Sequence, residues 1–287
     1  MARQDTLSIK LEDGVTAAEL AEGYGPVIEN VYSRAISNFL KATNFSGDPS
    51  TGSVEFKRFE TALSQAYGTA RAAGAGDDVQ SRPVVVNIDN DKEIVEEVEI
   101  KDVKLYGVAD ILGRRQRELT LSMVKELDTA FFTEAYREGT VTSTSSSDIN
   151  DKLEDLIVAT ETTYTSFIDG LDRDMLALVV SPTTHSAIRK LVDDLPTQDN
   201  FFARGAVGMF HGVPLYVSHH LPKGIGQAVT AFCLMPGAIA QPVTIDGYGA
   251  ERIPLSNAMA LELFYSFGVQ AIVPEAIRYL GDAYSAS

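Results

Sequence analysis

The chain has 287 residues, 45% hydrophobic and 22% charged, which is enough core for one elaborate domain or two sharing a sheet and excludes wholesale disorder. Forty acidic against 24 basic residues give a net charge of −16, which opposes tight binding to nucleic-acid phosphates or to an anionic membrane surface. The single cysteine, Cys233, rules out an intramolecular disulfide and any cysteine-rich metal site.

Residues 1–52 read as an arm punctuated by Gly14, Gly23 and Gly25. Within it, Val27, Val31, Ala35 and Phe39 recur at helical spacing and predict an amphipathic helix from Pro26 to Lys41. Asn44 to Gly52 is dense in turn formers and ends that helix. No apolar run reaches the roughly 18 residues of a spanning helix, and Met1 to Asp5 leads into no hydrophobic signal core. The expectation is a protein made and used in the cytoplasm.

From Val54 to Tyr106 the pattern is extended. Two β-rich arms flank an Ala/Gly stretch, Ala72 to Gly76, which predicts a long projecting hairpin whose return runs from Val84 to Lys92. Asp89, Asp91, Glu93, Glu96, Glu97, Glu99 and Asp102 crowd the following segment against Lys92 and Lys101. A lone acidic strand pair buries little, so it is expected to lie on a neighbour.

Asp110 is a candidate cap for a helix reaching Arg137, with Gly139 as its stop. Leu112, Leu119, Met123, Leu127, Phe131 and Ala135 form its apolar stripe, which Val124, Phe132 and Tyr136 widen. Such a helix is about 40 Å long, more than a small domain needs. Thr140 to Ser147 is a polar low-complexity link. A second helix is predicted after Asp148, with Ile149, Leu153, Leu156, Ile157, Tyr164, Phe167 and Ile168 on one face. Met175 to Val180 reads as a buried strand, and Ser181-Pro182 as the start of a third helix ending near Asp194. Val213–Val217, Val229–Leu234, Val243–Ile245, Ala258–Phe267 and Val269–Val273 complete the chain as strands. The order is α+β rather than a regular βαβ alternation.

Reactive motifs are scarce. His211, His219 and His220 invite a metal reading, the basis of an alternative as a soluble metal-dependent hydrolase. Adjacent histidines on a strand point to opposite faces, however, and no carboxylate lies near in sequence to complete the set. Cys233 sits in the apolar run Val229 to Leu234 and reads as a buried structural thiol with no histidine beside it. Gly205 to Gly208 and Gly224 to Gly226 lack the lysine and hydroxyl of a phosphate loop and read as turns. The carboxylate pairs Asp77/Asp78, Glu96/Glu97 and Asp193/Asp194 lie in charged or loop settings. No catalytic, cofactor-binding or metal residue is assigned, and the chain is expected not to be an enzyme.

The order of segments resembles the major capsid proteins of tailed bacteriophages, which share the Hong Kong-type capsid fold with encapsulins. Val84 to Lys92 is similar to the return strand of that family's extended loop, and Ile111–Arg137 to its spine helix. Leu176 to Pro182, entering an amphipathic helix, resembles a strand–Ser-Pro–helix step of the axial domain. Gly208 to Pro222 is similar to the family's Gly–apolar–Gly–x–Pro–strand–Ser–x–x–Leu-Pro stretch, and Gly237 to Ala240 to the return into the peripheral sheet.

The resemblance implies an α+β capsid fold with an N-terminal arm at 1–52 and a long β-hairpin extended loop at 53–86. It further implies a peripheral domain at 87–145 and 240–268, with the spine helix at 111–137, and an α/β axial domain at 146–239 and 269–287. It implies a structural subunit of a virion, assembling in the host cytoplasm as hexamers and pentamers into an icosahedral head. That head would enclose double-stranded DNA without sequence-specific binding, helped by a separate scaffolding protein and a portal. An encapsulin-type compartment shell is the nearest alternative.

Overall fold

The computed structural model describes residues 25–60, 66–68, 81–99, 108–192, 208–223, 228–252 and 258–284. These residues fall into two contact units. One holds the described parts of 1–38, 88–128 and 242–268, and the other those of 39–87, 129–241 and 269–287.

In the first unit the predicted N-terminal helix is broken. Helix α1 spans Gly25–Arg34 and α2 spans Ile36–Leu40. The cause is a tertiary contact: the buried Asp128 carboxylate accepts from the amides of Ile36 (3.4 Å) and Ser37 (2.9 Å), capping a fresh helix start. Strands β4 (Asn90–Glu99), β11 (Val243–Arg252) and β12 (Ala258–Phe267) form an antiparallel sheet in the order β11-β12-β4. The acidic segment is therefore not a lone pair, because β4 is laddered along its whole length to β12, from Asn90↔Phe267 to Glu99↔Ala258. Leu263, Tyr265 and Phe267 bury one face of β12. In register with Tyr265, Lys92 pairs with Glu126 at 2.8 Å, and the Tyr265 hydroxyl donates to the same carboxylate. Both contacts tie that sheet face to the long helix.

That helix, α3, spans Val108–Glu138, starting earlier than expected, so Asp110 lies in its first turn rather than before it. Leu119, Met123, Val124, Leu127, Phe131, Phe132, Ala135 and Tyr136 are all buried, the predicted stripe from Leu119 onward with its widening, while the Leu112 side chain lies outside the described residues. The helix stops at Gly139, whose amide donates to Ala135 (3.0 Å).

The second unit is built on a six-stranded sheet in the order β5-β14-β9-β6-β8-β7. Its strands are β5 (Thr140–Val141), β6 (Ala177–Val180), β7 (Gly208–Phe210), β8 (Val213–Val217), β9 (Val229–Leu234) and β14 (Ile277–Gly281). Helices α4 (Ile149–Glu161) and α5 (Pro182–Val192) cover one face. Leu153, Leu156, Ile157 and Ile188 pack there on Leu178, Val180, Leu215, Ala231 and Cys233. Each fully buried Leu or Ile of this cluster stabilises the fold by about 1.5–3 kcal/mol relative to exposure. The last turns of α3 cover the other face with aromatic rings: Phe132 stacks on Phe232 (5.8 Å) and Tyr136 meets Tyr279 edge-on (5.1 Å).

Three further expectations shift here. Helix α4 ends at Glu161, and Tyr164 is exposed in the loop that follows. Arg173–Met175 is a 3-10 turn, so β6 begins at Ala177. The predicted strand 269–273 shrinks to β13 (Gln270–Ala271), which pairs with β10 (Ile239–Ala240), itself parallel to β1 (Lys41–Ala42).

Strands β2 (Ser53–Phe59) and β3 (Ser81–Asn87) pair antiparallel from Ser53↔Asn87 to Phe59↔Ser81. Val54, Phe56 and Val86 anchor the base of this hairpin beside Ala240 and Ile272. Beyond Phe56 the ladder leaves the core, with Lys57 and Arg82 exposed and Phe59 55% exposed. The Ala72–Gly76 stretch and the arm before Gly25 lie outside the described residues.

Candidate functional site

The histidines fall in two settings. His211 and Gly212 are the two central residues of a tight turn between Phe210 and Val213, with φ of 46° and 91°. Positive φ at both positions suits a two-residue β-hairpin, and Gly212 meets it without a Cβ. His211 stacks on Phe210 (4.2 Å) and its Nδ1 lies 2.7 Å from Glu154 Oε2. The missing carboxylate thus comes from α4, 57 residues away in sequence. Arg173 also grips Glu154, donates to Glu161 (2.6 Å) and to the His211 carbonyl (3.1 Å). Burial raises the Glu154 carboxyl, but the hydrogen bonds from His211 and Arg173 outweigh it and hold it below the ordinary carboxylate value. This network staples the β7–β8 turn to α4.

His219 and His220 follow β8. Ser218 Oγ accepts from the His220 amide (3.1 Å), and the His219 carbonyl accepts from Lys223 (2.9 Å). Among the described residues no group of three His, Cys, Asp or Glu side chains converges as a metal site. Cys233 is buried on β9, where desolvation pushes its thiol up to about 12. A thiol held in that protonated form is a poor nucleophile.

What the second unit does present is a held hairpin. The loop after α4 is shaped by Thr165, whose hydroxyl accepts from the amides of Phe167 (3.3 Å) and Ile168 (3.1 Å), and by Gly170 at φ 77°. It offers the Phe167 ring to the hairpin stem. The Arg58 guanidinium lies 3.7 Å over that ring, and Arg82, its partner across the ladder, lies 5.6 Å from it. Arg58 also pairs with Glu275 at 2.8 Å. Beside this clamp an open cleft of about 400 Å³ is lined by Thr140, Thr163, Tyr164, Thr165, Glu275 and Arg278.

The first unit presents a sheet face instead. Opposite the buried face of β12, Phe264 pairs with Glu93 and Glu262 with Val95; Phe264 is 38% and Val95 50% exposed. No helix among the described residues is long and apolar enough to cross a membrane.

No protein-family model matches the chain, and no curated protein is similar to it in sequence. Solved structures do match. A structure from Mycobacterium phage Che8 shares 18% identity over 80% of this chain and 84% of its own, with a TM-score of 0.58. The capsid of the cyanophage P-SCSP1u shares 14% over 88% and 89%, at 0.57. The virus-like particle from Pyrococcus furiosus shares 15% over 92% and 98%, at 0.54. The chain thus has the fold of phage capsid subunits, as the order of its segments predicts.

Proposed function

We propose that this chain is the structural subunit of an icosahedral phage head, assembling as hexamers and pentamers around double-stranded DNA. The observation that carries the reading is fold likeness to capsid subunits over more than four-fifths of the chain. The surfaces agree with it. The hairpin stem leaves its own core, and the first unit exposes a mixed apolar and acidic sheet face. Such elements would gain burial against other copies, and repeated heterologous contacts of the right curvature close a shell.

In this reading the hairpin is the extended loop, residues 1–52 the arm and α3 the spine helix. The unit containing 88–128 and 242–268 supports the peripheral domain, and that containing 129–241 and 269–287 the axial domain. The role is structural rather than catalytic. A separate scaffolding protein and a portal are the expected partners, and the virion the site of action. The net charge of −16 suits a container that does not trap its DNA through phosphate contacts.

A second reading is a compartment shell with protein cargo, which the likeness to a virus-like particle also accommodates. One experiment addresses both. The chain is expressed with and without its scaffolding partner, and particles are imaged and their contents assayed. Shells containing DNA after packaging support the phage head, and shells holding only protein support the compartment. A chain that stays a soluble monomer under every condition overturns both. Deleting residues 70–79 should leave a folded subunit that forms no shells, and normal particles would refute the extended-loop role.

A further inference from the structure

We propose that the cleft beside the Arg58–Phe167 clamp is a carboxylate-binding socket, with Arg278 as its cation, filled by an acidic side chain of a second copy of this chain. The inference rests on the shell reading and adds the chemistry of one of its contacts.

Arg278 lies on β14, in register with Thr140 on β5 and Cys233 on β9. Its Nε is buried and has no hydrogen-bond partner, and its Nη2 reaches Thr163 Oγ1 only at 3.5 Å. That hydroxyl is already close to the Ala159 carbonyl (3.3 Å). A guanidinium carries five donors in a planar fork that matches a carboxylate, and a buried donor left unpaired is costly. Among the described residues no carboxylate forms an ion pair with Arg278. The acid that shares the cleft, Glu275, is held by Arg58 at 2.8 Å.

Among the described residues the wall therefore holds a cation without an ion pair, Arg278, beside threonine hydroxyls. Thr165 Oγ1, which accepts two amides, keeps its own proton to donate. At about 400 Å³ and open on one side, the space admits the end of a side chain. Charge identifies the occupant. The chain carries 40 acids against 24 bases, so a surface of another copy offers carboxylates in excess. A cation unpaired among the described residues of so acidic a protein is complementary to a second copy of it.

The test uses the full chain carrying Arg278→Lys, half of it labelled with heavy nitrogen, mixed before assembly. Assembled particles are treated with a water-soluble carbodiimide, which joins an amine to a carboxylate in contact with it. The expected product is an amide between position 278 of one copy and an Asp or Glu of another, read by mass spectrometry as a mixed-label peptide pair. A link confined to Glu275 of the same copy, or no link, overturns the proposal. In parallel, Arg278→Ala should raise the concentration for half-maximal assembly about tenfold, the scale expected for losing one paired charge contact. Its circular dichroism and thermal midpoint should be unchanged. An unaltered assembly concentration would also sink the socket. Particles that form without the link refute the socket alone, whereas a parent chain that never forms particles refutes the shell reading and the socket together.

Discussion

Replacing Phe167 by leucine keeps an apolar side chain in the loop after α4 but removes the ring face beneath two arginines. Arg58 stands 3.7 Å from that face with its side chain only 13% exposed, so its contact belongs in the desolvated part of the cation–π range, about 1.5 kcal/mol. Arg82, at 5.6 Å and exposed, adds about 0.5 kcal/mol. The sum, about 2 kcal/mol, corresponds to about a thirtyfold larger population in which the stem is released. Amide hydrogen exchange reads this directly, because exchange from a local opening scales with the population opened. The amides of Arg58 and Arg82, which face each other across the ladder, should exchange about thirtyfold faster in Phe167→Leu, and those of β6 and β9 at the parent rate. Phe167→Ala should add the loss of packed area. Stem amides that exchange at the parent rate in both variants would refute the clamp and leave the Arg58–Glu275 pair as what holds the stem beyond its base.

Gly139→Ala should lower stability by about 2–3 kcal/mol, because an added Cβ would sit 2.4 Å from the Ala135 carbonyl oxygen and 2.9 Å from Ile277 Cγ2. A urea midpoint equal to the parent's would count against that close approach. Cys233, buried with its thiol pushed up to about 12, should resist a disulfide reagent at neutral pH in the folded chain and react stoichiometrically in denaturant. Rapid reaction of the folded protein would mean that β9 is more open than described. Burial raises the Glu134 carboxyl above its ordinary value despite the Ala271 amide and Arg137. The folded state then holds that proton more tightly than the unfolded one. Its stabilising contribution is complete below the ordinary carboxylate value and is lost as pH rises through the folded-state value. Glu134→Gln should therefore flatten the fall in stability with rising pH, and parallel urea-midpoint curves for parent and variant would contradict this.

Local signals were the legible ones. Asp148 caps α4 by accepting from Asn150, and Ser181 Oγ accepts from Thr184 at the start of α5, both where sequence places them. The α3 stripe was legible because a long helix repeats its period many times. The misses share a cause, contact across long sequence separations. Nothing near Ala35 signals a break, because the cap is Asp128, about ninety residues later. Nothing in β4 names β12 as its partner. The helical reading of Tyr164 and Phe167 followed apolar spacing past Glu161. The chain there instead follows Thr165, whose hydroxyl takes up the amides of Phe167 and Ile168. Of the candidate site, only the turn at His211 could be read from sequence, as glycine beside a residue tolerant of positive φ. Its partners Glu154 and Arg173, and the Phe167 clamp, are products of tertiary assembly.

Strand β4 lies at the margin of its sheet, and among the described residues nothing pairs with its outer side. Ten residues of open backbone invite another chain to add a strand, the first step toward fibres. Asp91, Glu93, Glu96, Glu97 and Glu99 stand along this margin, with Lys92 the one base among them. Two such margins approaching each other bring carboxylates together. The composition that makes β4 look a poor strand in isolation thus guards that margin against self-templated growth.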